Sequence, residues 1–346
     1  MKFIEISAPN FDLETTLNSG QVFHWEKAGN GFVGAVGDRV VYVEQQGDVL
    51  KVRDAATPSI RAGHALTREA GALPGMVARY FALDHPLAKI CASFPRDPAM
   101  NAARKFCQGL RIIRQPKWEC LATFICSSMK QVAHIRQISK SLRERFGDAR
   151  EVTLLSSMDQ AKGGSAAPRT MPIKAASPSN FNIELASGRV RPTGGQGTGR
   201  STIKDRAYTF PMAERIAALS EKALRECALG YRARNLLATA SLVASGKIDL
   251  EQWSALSDVD LKQELTKLPG VGAKVANCVM LFAYERLRAF PIDVWIERVL
   301  REKYFPRARK LNASRLQAFT ETYFGEHGGY AQQYLFHSAR TGPRKR

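Results

Sequence analysis

The stretch "LPGVGAKVANC", residues 268–278, decides the reading of this chain. Gly270 and Gly272 stand two apart, directly after Pro269. Beyond them Val275, Cys278, Val279 and Phe282 recur at i, i+3, i+4 and i+7, the spacing of one buried helical face. Ahead of them "ELTK" continues a helical pattern that Pro269 ends. The stretch therefore reads as helix, tight turn, helix. The turn leaves backbone amides exposed at Gly270, Val271 and Gly272, and the second helix begins with free N–H groups. Together they make a phosphate site that requires no base sequence. Lys274 lies at the start of that helix, one residue before the apolar run, with Cys278 four residues on along the same face. The helix dipole opposes a positive charge there.

Composition points to the same partner. The chain has 346 residues and 45% hydrophobic content, enough for a sizeable core and for two or three domains. Its 51 Lys and Arg against 32 Asp and Glu give a net charge of +19, far more than solubility needs. Such a balance implies a polyanion, with double-stranded DNA the leading candidate. A spanning role in a membrane is excluded, since no apolar run of about 18 residues exists. "MKFIEISAPNFDLETT" turns acidic and polar too soon for a signal peptide, so an intracellular protein is expected, in cytoplasm and nucleoid or in a nucleus. Cys91, Cys107, Cys120, Cys126, Cys227 and Cys278 are widely spaced and contain no CxxC pair, which argues for reduced thiols rather than a zinc site.

Residues 1–75 read as an N-terminal antiparallel sheet domain. "GFVGAVGDRVVYVEQQGDVLKVRD" alternates apolar and polar residues around turns at Gly37-Asp38 and Gly47-Asp48. Ahead of it, "LNSGQVFHWEK" places Phe23 and Trp25 at strand spacing. Residues 76–160 and 207–340 read as a helical domain, with the helix-hairpin-helix at about 258–287. The amphipathic stretch from Glu119 to Gly147 is interrupted near Ser127–Ser128. Between the two helical parts, residues 161–206 contain 20 Gly, Ser, Thr or Pro among 46, with eight basic and two acidic residues. This composition suits a flexible basic insertion. Its glycines lack the GKS or GKT ending of a phosphate-binding P-loop. Residues 341–346 form a basic tail. The fold class expected is α+β: an antiparallel sheet domain followed by an all-helical domain, acting as a monomer.

Asp293, in "AFPIDVWIERVL", follows Lys274 by nineteen residues. It precedes an amphipathic helix, so it reads first as an N-cap. If the two helices pack, however, an amine and a carboxylate meet at one cleft edge. Both the dipole and partial burial favour the free amine, the form that attacks carbon. A carboxylate nearby can stabilise a developing oxocarbenium ion, as in glycoside cleavage. Beside a phosphate-gripping hairpin, the matching substrate is the N-glycosidic bond of a nucleotide in DNA.

"LPGVGAKVANCV" followed by "FPIDVWIERV" resembles the helix-hairpin-helix DNA glycosylase superfamily, and more closely the 8-oxoguanine DNA glycosylase family. The resemblance extends to "NSGQVFHW", "LRIIRQPKWECLATFICSS", "LGYRAR" and "YAQQYLF", in the family's order. It implies a bifunctional glycosylase and apurinic/apyrimidinic (AP) lyase that excises 8-oxoguanine from duplex DNA through a lysine Schiff base and β-elimination. Lys274 matches the lysine that attacks C1′, and Asp293 the aspartate that assists it. Gly20 matches the glycine whose carbonyl recognises the N7 hydrogen of the oxidised base. Gln332 and Phe336 match residues that bond to and stack on the flipped base, and Cys278 the pocket cysteine on its other face. Phe282 stands where the family often has methionine. Gly270 and Gly272 match the phosphate-holding hairpin glycines, at which the family often binds a monovalent or divalent cation. No other cofactor is implied. No cysteine follows Cys278, so the iron–sulfur cluster of related glycosylases has no ligands.

The departures from the family pattern carry their own expectation. After "FICSS" the eukaryotic enzymes have asparagines, where this chain has Met129, Lys130 and Gln131. The arginine a turn later is His134, whereas Arg232 is kept in "GYRAR". These positions read the orphaned cytosine, so relaxed selection of the opposing base is expected. A pocket histidine is replaced by Trp295. Two rival readings share the fold: a monofunctional alkylpurine-type glycosylase, which would lack the lysine, and a non-catalytic helix-hairpin-helix DNA-binding protein, which would have no reason to keep Lys274 with Asp293.

Overall fold

The computed structural model describes residues 2–55, 72–128, 130–153, 204–308 and 310–342. Met129, residues 161–203 of the basic stretch and residues 343–346 of the tail lie outside the described residues. The N-terminal part is a five-stranded antiparallel sheet of order β1-β5-β4-β3-β2, made of β1 (Ile4–Ser7), β2 (Glu26–Ala28), β3 (Gly31–Val36), β4 (Arg39–Gln46) and β5 (Val49–Asp54). Two-residue turns set the register, pairing Val36 with Arg39 and Gln46 with Val49. Alternation then sends Val41, Val43, Leu50 and Val52 to one buried face.

One expectation for this region is corrected. Residues 13–18 are a helix, α1 (Leu13–Asn18), and residues 22–25 are irregular rather than strand. The cause is local. Asp12 Oδ1 accepts from Thr15 N at 2.7 Å, a side-chain N-cap, and Leu13, Thr16 and Leu17 form a helical buried face.

The helices that follow are α2 (Ala72–Tyr80), α3 (Leu87–Ala92), α4 (Pro98–Phe106), α5 (Lys117–Ser127) and α6 (Val132–Phe146). The chain then makes β6 (Ala149–Thr153) and, on its return, β7 (Lys204–Tyr208). These two strands pair antiparallel and form a second, two-stranded sheet. The strand pair was not apparent in a stretch read as helix and loop. Val152 and Ala207 pack with Ala35, Val40 and Tyr42 of the first sheet. The fold continues with α7 (Ala213–Ala217), α8 (Glu221–Leu224), α9 (Arg232–Ala244), α10 (Asp258–Lys267), α11 (Ala273–Ala283), α12 (Val294–Val299), α13 (Ala313–Tyr323) and α14 (Gly328–Thr341). No helix among the described residues is long and apolar enough to cross a membrane.

Two helices run through the centre of the helical part. Every residue of α5 from Glu119 to Ser127 is buried, and most of α14 is buried as well. A buried charged cluster ties α5 to its surroundings. The Glu119 carboxylate accepts from the Arg143 guanidinium of α6 and lies 3.4 Å from His24 Nδ1. Burial raises the Glu119 carboxyl and Arg143 opposes that; burial and then Arg143 lower the His24 imidazole.

His337 on α14 packs its ring 5.7 Å from Phe106 of α4, with Nδ1 lacking a hydrogen-bond partner. Burial, helped by Arg340, lowers its pKa from the ordinary 6.5 to about 4. The unfolded chain therefore binds a proton below pH 6.5 that the folded chain refuses. The contribution of His337 is complete above that pH and is lost as pH falls through the window from 6.5 to about 4. Between pH 7 and 5 the wild type should lose about 1 kcal/mol more stability than His337→Gln. Urea unfolding of both proteins at the two pH values measures this, and parallel losses would contradict it.

Candidate active site

The hairpin is built by its sequence. Leu268 O accepts from Val271 N at 3.1 Å, closing a four-residue turn. Pro269 fills the second position and Gly270, at φ +82°, the third, as a type II turn requires. A Cβ on Gly270 would also come within 2.8 Å of Asn235 Cβ on α9. Thr239 of α9 donates to Pro269 O at 3.2 Å, and Val271, expected to expose its amide, is instead buried with that amide bonded to Leu268 O. The turn is thus anchored from beneath. Gly272 is the N-cap of α11, is exposed and has no side-chain cap. Its first amides face outward from an eleven-residue helix, the geometry of an anion site.

Lys274 is half-buried on the first turn of α11. Its Nζ donates to Ser127 Oγ of α5 at 3.3 Å and lies 5.5 Å from the centre of the Phe124 ring. Asp293 is the N-cap of α12, with Oδ1 accepting from Trp295 N at 3.0 Å and Ile296 N at 2.9 Å. The N-cap reading of this residue is therefore the one its hydrogen bonds bear out. Burial raises the Asp293 carboxyl above its ordinary value; the Ile296 amide, the Lys274 charge and the Trp295 amide oppose the rise. Cys278 is buried one turn after Lys274. Burial pushes its thiol up to about 11, with Lys274 acting against the shift and Asp293 adding to it. The three groups thus act on one another's charge, and Lys274 and Asp293 form no direct ion pair.

The other pocket candidates lie on three segments. Gly20, at φ +88°, lies against Phe336: a Cβ there would stand 3.0 Å from Phe336 Cε1. Arg340 Cζ lies 5.5 Å from the centre of the same ring. Gln332, one turn before Phe336 on α14, is buried with Oε1 lacking a partner. A buried amide oxygen left open in this way suits a polar ligand that would satisfy it. Phe282, on α11, stacks on Phe124 with ring centres 5.5 Å apart and planes 10° apart.

The residues expected to face the opposing base are less united. Lys130 is half-buried beside the end of α5, its amide donating to Ser127 O at 3.2 Å. His134 is exposed on α6. Arg232 is buried, and its guanidinium donates to Ser128 O and, at 3.3 Å, to Leu229 O. Next to it Tyr231 is 56% exposed, its ring 4.4 Å from Arg232 Cζ. Trp295 is half-buried, with Arg298 Cζ 5.4 Å from its ring centre.

Sequence reasoning missed the residues that fasten Gly20. Gln21 Nε2 donates to Arg111 O at 2.8 Å, while its Oε1 accepts from Ile113 N at 2.7 Å. Gln333 Nε2 donates to Ser19 O at 2.9 Å, and Arg340 donates to Asn18 O at 2.5 Å. The signal available was polarity inside otherwise buried motifs: Gln21 in "SGQVF" and Gln333 in "YAQQYLF". Tyr231, a large aromatic before a helix, carried no comparable signal.

The chain is similar to known proteins. The model for "8-oxoguanine DNA glycosylase, N-terminal domain" matches residues 3–121. The N-glycosylase/DNA lyase OGG1 of Arabidopsis thaliana is 25% identical over an alignment of 346 positions, covering 96% of this chain and 78% of that protein. An N-glycosylase/DNA lyase of Saccharomyces cerevisiae is 27% identical, covering 77% of this chain and 66% of that one. A solved structure of MBOgg1 in complex with a low affinity DNA ligand is 27% identical, with a TM-score of 0.74, covering 98% of this chain and 99% of the other. The N-terminal match spans the sheet and the helices up to the start of α5, and the structural likeness covers 98% of the chain. The chain is thus similar to the 8-oxoguanine DNA glycosylase family in its N-terminal domain, and to an N-glycosylase/DNA lyase and to MBOgg1 over nearly its whole length.

Proposed function

We propose that this protein is a bifunctional glycosylase and AP lyase that removes 8-oxoguanine from double-stranded DNA. The observation that carries the proposal is the half-buried Lys274 on the first turn of α11, directly behind the exposed Gly272, with its charge close enough to act on the carboxyl that caps α12. Phosphate held at Gly270 and Gly272 would bring the flipped nucleotide's sugar to the first turn of α11. The free amine of Lys274 then attacks C1′, and the N-glycosidic bond breaks with its electron pair leaving on the base. The Asp293 carboxylate offsets the positive charge that develops on the sugar ring. Opening of the ring gives an imine between Lys274 and C1′. Loss of a C2′ proton then expels the 3′ phosphate, cutting the strand.

The damaged base would lie between Phe336 and Cys278, with Gln332 and the Gly20 backbone at its edges. A cation at the hairpin fits only through main-chain oxygens, since the described residues hold no group of three or more His, Cys, Asp or Glu able to bind a metal. Such an ion would add to the positive field at the phosphate.

Release of 8-oxoguanine and cleavage of the strand, followed together on a duplex with one lesion, test the reading. Both products are expected. Release without cleavage would favour the monofunctional reading, and neither product the non-catalytic one.

Relaxed reading of the opposing base is part of the proposal. Planar, fixed donors reject wrong partners strongly, because a mispair leaves buried polar groups unsatisfied. Here the Arg232 donors already serve two carbonyls, and Lys130 offers a mobile point charge. Exposed Tyr231 can stack beside any base. Single-turnover excision opposite C, A, G and T should differ by about tenfold or less, equal to about 1.4 kcal/mol in the barrier. A preference for cytosine of about a thousandfold would contradict this.

A further inference from the structure

We propose that Ser127 and Phe124 are positioning residues for Lys274, and that Phe282 sets the position of Phe124. The inference rests on the reading of Lys274 as the nucleophile. Three contacts carry it. Lys274 Nζ donates to Ser127 Oγ at 3.3 Å, and Ser127 Oγ donates in turn to Phe124 O at 2.8 Å. The Ser127 proton is therefore committed to the helix, which leaves its oxygen lone pairs turned to the amine. The same Nζ lies 5.5 Å from the Phe124 ring centre, within range of a cation–π contact.

Neither partner is free to drift. Ser127 and Phe124 are 4% exposed and lie one turn apart on α5. Phe282 lies flat against Phe124, and Phe23 meets it edge-on with ring centres 6.3 Å apart. A long lysine side chain has many rotamers, and only a few aim Nζ at a bound sugar. A hydroxyl on one side and an aromatic face on the other restrict that choice before DNA arrives. Methionine, flexible and unbranched, would not hold the Phe124 ring in one plane. The aromatic residue at position 282 thus has a role in this chain beyond lining the base pocket.

Single-turnover formation of the covalent adduct, followed against duplex concentration, separates positioning from binding. Ser127→Ala keeps a strong helix former at that site. Its maximal rate should fall about tenfold, while the half-saturating duplex concentration changes less than twofold. Ser127→Thr keeps the hydroxyl and should stay within about threefold of the wild type. Phe124→Leu should mirror Ser127→Ala, whereas Phe124→Tyr should keep most of the rate. Phe282→Met, which keeps an apolar side chain of similar size, should lower the maximal rate about threefold.

Thermal unfolding of each variant excludes loss of fold as the cause. An unchanged maximal rate in Ser127→Ala, or a threonine variant as slow as the alanine one, would overturn the proposal. If Lys274→Gln still forms the adduct, the nucleophile has been misassigned, and that failure is distinct from slow adduct formation by an intact Lys274.

Discussion

Replacing Lys274 by glutamine should lower single-turnover release of 8-oxoguanine by at least about a thousandfold, roughly 4 kcal/mol in the barrier, and should remove strand cleavage altogether. Glutamine matches much of the length of lysine but has no amine to form an imine. The two products need not respond alike. The hairpin, the base pocket and Asp293 remain, so slow base release by water can persist, whereas β-elimination has no other route in the proposed chemistry. The fold should be unaffected. Lys274 makes one hydrogen bond, to Ser127 Oγ, and one ring contact, and glutamine can replace the former. The variant should therefore bind lesion duplex nearly as well as the wild type. Parallel assays of binding, base release and strand cleavage check all three statements. A variant that still cleaves the strand would remove Lys274 from the mechanism.

The second large effect is expected at Asp293. Asparagine is as good an N-cap as aspartate, so Asp293→Asn should still accept from Trp295 N and Ile296 N. Stability should change by less than about 0.5 kcal/mol. The negative charge is lost, however, and with it the group proposed to offset the developing positive charge on the sugar. Base release should fall about a hundredfold or more, about 2.7 kcal/mol. Asp293→Ala should lose a similar amount of activity and, in addition, about 1 kcal/mol of stability from the missing cap. The pair of variants separates the structural role from the chemical one. Equal activity of Asp293→Asn and wild type would reduce Asp293 to a cap.

The parts of this molecule legible in the sequence were those fixed by local rules. Pro269 and Gly270 specify their turn through backbone geometry alone, and the turn appears with Gly270 at φ +82°. Alternation at 31–54 specifies β3, β4 and β5 because each strand pairs with its neighbour across a two-residue turn. Strand β1 is also found in that sheet, yet its partner is β5, some forty-five residues away, a pairing no local pattern announces. The pair β6–β7 was missed for the same reason, with fifty residues between its strands. Helix α1 was missed because Phe23 and Trp25 suggested alternation, while the Asp12 cap and the Leu13, Thr16, Leu17 face carried more weight.

The candidate site divides in the same way. Lys274 was singled out because a lysine at a helix start beside an apolar run is unusual, and Asp293, an ordinary N-cap by itself, because it follows on the next helix. The contact of Gly20 with Phe336 joins residues more than three hundred positions apart and depends on Gln21, Gln333 and Arg340 holding the loop. The burial of Arg232 followed from carbonyls at Ser128 and Leu229 that no spacing rule predicts. The likeness of "NSGQVFHW" and "YAQQYLF" to the family motifs supplied what spacing could not.

Borohydride trapping on a duplex carrying a single 8-oxoguanine tests the central claim most directly. Reduction of the imine should leave a stable protein–DNA adduct, and peptide mapping should locate the modification on Lys274. An adduct mapped to another amine, or base release with no adduct at all, would contradict the account.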